Sequence, residues 1–324
     1  MGLDPFLQEL ARRACLESTW NEAHLLGILS KVGPIGSGKG LEFLEIGVGD
    51  DAAVVVLQEN RYSLCADLIA EKVHFDMEYF TPRDVGYKAI AVNISDLAAM
   101  GATPLFATVT ISAPKDTNVA EIQSGITSAC EEYGIVAVGG DLSDGASIVV
   151  SVSVVGGHFG RNPMLRSNLA AGDTIFVTGS LGGSAAGLRE LKGSSGKASL
   201  STRAKRHLHP LARIKEGIML AEMKVMAAMD VSDGLAIDLW RMADASNCGF
   251  AVDNIPIQDG ATLEDAISGG EDFELIFATN RPAEVVDAFK ATGQREPIQI
   301  GIVRKDLEDR EILGKRAHPL GYLH

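Results

Sequence analysis

Apolar residues in the first half of the chain fall into short runs parted by polar turns, and their spacing switches between strand and helix periods. Phe6, Leu10, Leu16 and Trp20 lie loosely on one face, which predicts an amphipathic helical beginning within residues 1–45. Apolar runs at 53–57 and 62–65, joined through polar residues 58–61, predict two strands, the second ending at Asp67. Thr81-Pro82 marks a helix start, because a hydroxyl can cap the free amides and proline fits the first helical position. That helix runs to about Met100 and stops at Gly101. A strand (105–111), a helix (117–133), a short strand (135–138) and a strand alternating from Val150 (147–155) follow. Strands in pairs with crossover helices predict an α+β layer built on a mixed sheet.

The second half opens with a strand at 173–178 and a Gly-rich turn, 179–184. A Ser/Gly-rich stretch (193–202), a helix (210–223) and an apolar run (225–229) come next. A helix carrying Leu235, Leu239 and Met242 ends before Asn247-Cys248-Gly249. Strands at 250–252, 273–278 and 298–303, helices near Leu263 and over 283–290, and a loose tail at 319–322 complete the pattern. The domain boundary falls between 161 and 173, so the chain divides into a helical extension (1–45), a first domain (46–162) and a second (163–324).

At 324 residues and 46% hydrophobic content the chain can bury sizeable cores. A formal charge of −14 without a dense Lys/Arg block argues against nucleic acid or an anionic membrane surface as partner. Phosphate ligands on such a protein would need divalent cations between the two. Cys15, Cys65, Cys130 and Cys248 have no metal-ligand spacing and read as reduced thiols of a cytoplasmic protein. The uncharged stretch 97–114 is interrupted by Gly101, Pro104 and hydroxyl residues, so it is a helix end, a turn and a strand rather than a membrane span.

Acids at the mouths of apolar segments carry the chemistry. The 225–229 run ends in Asp230-Val231-Ser232-Asp233-Gly234-Leu235, and similar arrangements recur at Gly49-Asp50-Asp51, Asn93-Ile94-Ser95-Asp96-Leu97 and Gly139-Gly140-Asp141. An Asp at a helix start can simply cap it, and Asp233 admits that reading. Repetition of the pattern points instead to a shared cation site, since buried carboxylates need a counter-charge. Asp96 stands within an apolar helix, three residues after Asn93 on one face, and Asp67 stands at a strand end. Glu271 and Asp272 follow two glycines, either as solvated turn residues or as acceptors for a substrate amine or hydroxyl. Gly33 to Gly40 has the G-x-x-x-x-G-K spacing of a phosphate loop, but Gly40 replaces the hydroxyl residue that should ligate magnesium, so it reads as a plain loop. The 179–184 turn can cradle phosphate or be an ordinary tight connection from strand to helix, the second being favoured.

Taken in order, Gly49-Asp50-Asp51-Ala52-Ala53, the block from Ala89 through Asn93-Ile94-Ser95-Asp96 to Ala102, Gly139-Gly140-Asp141, Asp230-Val231-Ser232-Asp233-Gly234 and Gly269-Gly270-Glu271-Asp272 resemble the thiamine-monophosphate kinase family. That family belongs to the aminoimidazole ribonucleotide synthetase superfamily. The resemblance implies a two-domain fold with a mixed-sheet N-terminal domain and an α/β C-terminal domain. It also implies a homodimer joined through the N-terminal sheets, with nucleotide near that interface. The implied reaction is transfer of the ATP γ-phosphate to thiamine monophosphate, assisted by several Mg2+ ions and needing no general base. By position, Asp51, Asp67, Asp96, Asp141, Asp230 and Asp233 would be metal ligands; Gly140, Asp141, Arg166 and Ser232 would contact ATP; His74, Glu271 and Tyr322 would hold the thiamine end.

Cys65-Ala66 stands where the family has Ser-Thr, and Leu142-Ser143-Asp144 follows Asp141 where it often has Thr-Thr. Selenophosphate synthetase would want a reactive N-terminal Cys in a Gly-rich loop, and the hydrogenase-maturation dehydratase a C-terminal Cys tail; neither pattern is visible. A nucleotide or thiamine-phosphate binding protein without turnover is the alternative that Cys65-Ala66 leaves open.

Overall fold

The computed structural model describes residues 39–47, 50–193 and 201–322. The predicted helical beginning, the glycine-rich loop at 33–38 and most of the Ser/Gly-rich stretch lie outside the described residues. The first half forms a six-stranded sheet in the order β1-β2-β3-β6-β4-β5. Its strands are β1 (Leu44–Ile46), β2 (Ala53–Leu57), β3 (Asn60–Ala70), β4 (Thr103–Ala113), β5 (Val136–Asp144) and β6 (Val149–Gly157). Only β4 and β5 run parallel, so the sheet is mixed, as the strand pairs predicted. The β2–β3 turn is tighter than expected, with Gln58 and Glu59 both at positive φ between the paired Leu57 and Asn60.

Two expectations about this sheet are corrected. Asp67 does not end a strand: β3 continues to Ala70, because β6 pairs with it from Tyr62↔Gly157 to Ala70↔Val149. Gly139-Gly140-Asp141 does not lie beyond a strand but inside β5, an exposed edge that pairs with β4 alone among the described residues. A Cβ on Gly140 would sit 1.6 Å from the Val109 carbonyl oxygen, so the glycine permits this pairing.

Helix α1 (Pro82–Ala99) starts as predicted, with Thr81 and Asp84 forming a reciprocal capping box. It is buried almost all round, Lys88, Asn93 and Ser95 included, which explains why it shows no amphipathic stripe. α2 (Val119–Tyr133) ends on left-handed Gly134 and crosses α1 closely. Cβ atoms on Gly86 and Gly125 would meet the Ile122 and Arg83 carbonyl oxygens at 2.0 and 1.9 Å, so both glycines are required by the crossing.

The second half forms a seven-stranded sheet in the order β13-β12-β9-β11-β7-β10-β8. The strands are β7 (Thr174–Val177), β8 (Ala227–Asp230), β9 (Gly249–Val252), β10 (Leu275–Thr279), β11 (Ile298–Arg304), β12 (Arg310–Ile312) and β13 (Lys315–Arg316). Around it run α3 (Gly183–Gly193), α4 (Thr202–Leu208), α5 (Ile214–Glu222), α6 (Leu235–Ala245), α7 (Leu263–Ser268) and α8 (Pro282–Ala291). The helix expected over 210–223 is the shorter α5, preceded by α4. The strand expected from Phe273 begins only at Leu275, because Glu271 and Phe273 both adopt positive φ.

The two halves share packing at α1. Ala98 and Ala99 of α1 are buried with Phe176, Leu220 and Phe277, and a Cβ on Gly217 of α5 would come 2.1 Å from the Ala98 carbonyl oxygen. β8 also contacts α1, so the acidic end of β8 is delivered against the last turn of α1.

Candidate active site

Three of the predicted metal ligands converge at that junction. Asp51 comes from the loop before β2, Asp96 from the last turn of α1 and Asp230 from the end of β8, and one oxygen from each lies within 4.8 Å of the others. Each is presented by a different element, so no sequence window contains the group. Burial pushes the Asp96 carboxyl well above the ordinary range, and the neighbouring Asp67, Asp230 and Asp51 push it further. Asp230 moves the same way, through burial and then Asp51, while the Ser95 hydroxyl opposes the shift by donating to Oδ2 at 2.5 Å.

Asp51 is tied on one side only. Arg166 Nη2 donates to its Oδ1 at 3.0 Å, whereas its Oδ2 is buried without a partner. The Arg166 amide donates to Asp50, whose carboxyl is pushed up to about 7 by burial and by Asp51. Arg166 thus stands at the acidic cluster as its one close cation among the described residues.

Asp67 borders the group from the middle of β3. Its amide donates to Asn93 Oδ1 at 2.9 Å, and its charge reaches Asp96 and Asp230. The neighbouring Cys65 thiol donates to the Asn93 carbonyl at 3.8 Å; burial, then Asp96 and Asp67, hold the thiol well above its ordinary pKa. Asp141 is not brought into the close group; it is exposed on β5, opposite Thr110.

Asp233 lies one turn further on and pairs with Arg241. It does not cap α6. Asp238, four residues beyond Gly234, reaches back so that its Oδ2 accepts from the amides of Ser232, Asp233 and Gly234 at 3.1, 3.0 and 3.0 Å. Sequence reading missed Asp238, since an acid inside a helix carries no cap signature.

Two of the three predicted thiamine-end residues, Glu271 and Tyr322, are tied to the same turn. The Glu271 amide donates to the Ser232 carbonyl at 2.7 Å and the Tyr322 amide to the Asp233 carbonyl at 2.9 Å. Tyr322 is about half exposed. His74 sits in a tight loop after β3, its Nδ1 accepting from the Ala70 amide at 3.1 Å. Burial would raise the Glu271 carboxyl, but Lys88 and His207 beside it outweigh that and hold it below its usual range. Positive φ at Glu271 and Phe273 is the kind of backbone strain that persists where surrounding structure demands it.

Asp272, by contrast, is structural. Its carboxylate is buried and accepts from the Gly182 and Ser184 amides, occupying the N-terminal end of α3. The 179–184 turn is therefore an ordinary connection whose Leu181, Gly182 and Ser184 amides are satisfied internally.

The family descriptions for AIR synthase related protein match in two parts, the N-terminal domain over residues 49–158 and the C-terminal domain over 170–313. The thiamine-monophosphate kinase of Rhodopirellula baltica is 37% identical over 310 residues, covering 86% of this chain and 91% of the relative. Among solved structures, AaThiL complexed with AMPPCP and TMP is similar at a TM-score of 0.81 and 30% identity, over 94% of this chain and 97% of that one. Thiamine monophosphate kinase from Aquifex aeolicus gives a TM-score of 0.74 at 30% identity, over 83% and 93%.

Proposed function

The chain belongs to the AIR synthase related family, among its thiamine-monophosphate kinases, and from that membership we propose that it transfers the γ-phosphoryl group of ATP to thiamine monophosphate, yielding thiamine diphosphate and ADP. The observation that carries the reading is the convergence of Asp51, Asp96 and Asp230 from separate elements, with an Asp51 oxygen buried and unpartnered. Such a donor set is all oxygen and over-supplied with negative charge, which fits magnesium. Asp51, Asp96 and Asp230 would hold it, with Asp67 at the edge. Bound there, Mg2+ would supply counter-charge for the phosphates of both substrates.

The chain's own groups then have separate tasks. Arg166, beside Asp51, is placed to release its guanidinium to a phosphate oxygen, and Ser232, Gly140 and Asp141 would line the nucleotide side. Glu271, His74 and Tyr322 would receive the thiamine end. The acceptor is a phosphate already ionised at neutral pH, so no general base is needed and alignment is the main demand. Asp141 and Asp233 would join further cations when the nucleotide draws them in.

The working unit in this reading is a homodimer. Among the described residues β5 pairs on one side alone, with β4, and Val136, Val138 and Leu142 on it are 57, 58 and 59% exposed, next to exposed Phe106 on β4. An apolar, open sheet face of this kind favours association with a second copy. The junction of the two halves is placed at 162–163, and the reaction in the cytoplasm. No helix among the described residues is long and apolar enough to cross a membrane.

Incubation of the protein with thiamine monophosphate, ATP and magnesium, with products resolved by chromatography, tests the reading. Thiamine diphosphate should form, and EDTA or replacement of the acceptor by thiamine should abolish it. ATP binding without product would turn the assignment to a binding protein.

A further inference from the structure

A lysine without exposed surface needs partners for its charge, since an unpaired buried ammonium costs several kcal/mol. Lys88, in the middle of α1, is 0% exposed. Its Nζ donates to the His74 carbonyl at 2.9 Å, stands 2.6 Å from Glu271 Oε1 and lies 5.3 Å from the centroid of the Phe80 ring. One ammonium therefore grips a loop of the first half and a loop of the second. Those loops carry two of the three residues assigned to the thiamine end.

We propose that Lys88 is a positioning residue for thiamine monophosphate: it sets the separation and orientation of His74 and Glu271 without touching the substrate. This rests on the kinase reading above. Glu271 is held from several sides. Lys88 meets Oε1, His207 Nδ1 lies 3.3 Å from Oε2, and the amide is tied to Ser232. A carboxylate has about four lone-pair positions, so acceptor capacity remains for a ligand N–H in directions that the two partners define. The paired ammonium also cancels the carboxylate charge, which makes recognition a matter of hydrogen-bond direction more than of net charge. Without Lys88 the Glu271 carboxylate would lose its closest partner, and the His74 loop its contact with α1.

The test is steady-state kinetics on Lys88→Met and Lys88→Arg, with folding checked by circular dichroism. Losing a hydrogen bond to a charged group corresponds to about 10- to 100-fold. In Lys88→Met the KM for thiamine monophosphate should rise about tenfold or more, while the KM for ATP and the magnesium requirement stay within about twofold of wild type. Lys88→Arg should recover part of the loss. An unchanged KM for thiamine monophosphate, or an ATP KM rising in parallel, would overturn the proposal. If Lys88→Met does not fold, the Lys88→Arg effect is measured again in a Glu271→Gln background. It should shrink there, and fully additive effects would overturn the proposal. If the wild-type protein forms no thiamine diphosphate, the kinase reading fails on its own account. Calorimetric binding of thiamine monophosphate to wild type and variant then decides: about tenfold weaker binding by the variant supports Lys88, and equal or absent binding overturns it.

Discussion

Ser95 Oγ donates to Asp230 Oδ2 at 2.5 Å, which joins the last turn of α1 to the end of β8 across the junction of the two halves. This bond favours the ionised form of a carboxylate whose pKa burial and then Asp51 raise. In Ser95→Ala the Asp230 carboxyl should rise further, and it should compete less well for a cation. Hydrogen bonds to charged groups contribute about 1.5–3 kcal/mol, so the magnesium concentration for half-maximal turnover should rise about tenfold or more. A magnesium titration of the rate checks this, and an unmoved midpoint would count against the role.

Asp230→Asn separates the cation role from the folding role. Asp96 and Asp230 have folded pKa values raised above their ordinary 3.8. Their contribution to stability is full below that value and is lost as pH rises through the folded values. At neutral pH the metal-free protein therefore carries the cost of burying these close acids, and the amide relieves it. Turnover should fall by at least about 100-fold, while the melting temperature in EDTA stays level or rises by a few degrees. Magnesium should raise the melting point of wild type and not of the variant; wild-type kinetics in the variant would refute the assignment.

His207 provides a pH signature in the opposite direction. Burial, with the nearby Lys88 charge, holds its pKa down to about 4 from an ordinary 6.5. A depressed folded pKa contributes stability that is present above 6.5 and lost as pH falls toward 4. Asp50 and Asp238, both pushed up to about 7, run the other way, so the effect is read as a difference between proteins. Between pH 6.5 and 4 wild type should lose about 3 kcal/mol relative to His207→Asn. Denaturant melts at several pH values measure it, and a constant difference would mean that His207 is charged in the fold.

Leu142 tests the dimer. It is 59% exposed on an edge strand, so Leu142→Glu should leave the protomer folded. Size-exclusion chromatography with light scattering should show a dimer for wild type and a monomer for the variant. A wild-type monomer at micromolar concentration would remove this interface.

Residue order alone was sufficient for the elements whose cause is local. Thr81-Pro82 with Asp84 starts α1 wherever that helix packs, Gly134 ends α2, and the acidic motifs, contiguous in sequence, carry the family resemblance. The kinase assignment was legible for the same reason, because its motifs are contiguous. Tertiary structure decided what depends on partners far along the chain. Pairing with β6 carried β3 through Asp67, and pairing with β4 drew Gly139-Gly140-Asp141 into an edge strand. Asp238 took the capping that Asp233 had seemed suited to, and Asp272 filled the Gly-rich turn from 88 residues or more away. Lys88 gave no signal at all, since a lysine in a helix is ordinarily solvated. Only the meeting of α1 with the 271–273 loop shows that its charge is buried and paired. Periodicity and capping act over a few bonds, whereas desolvation and ion pairing are set by what the folded chain brings into contact.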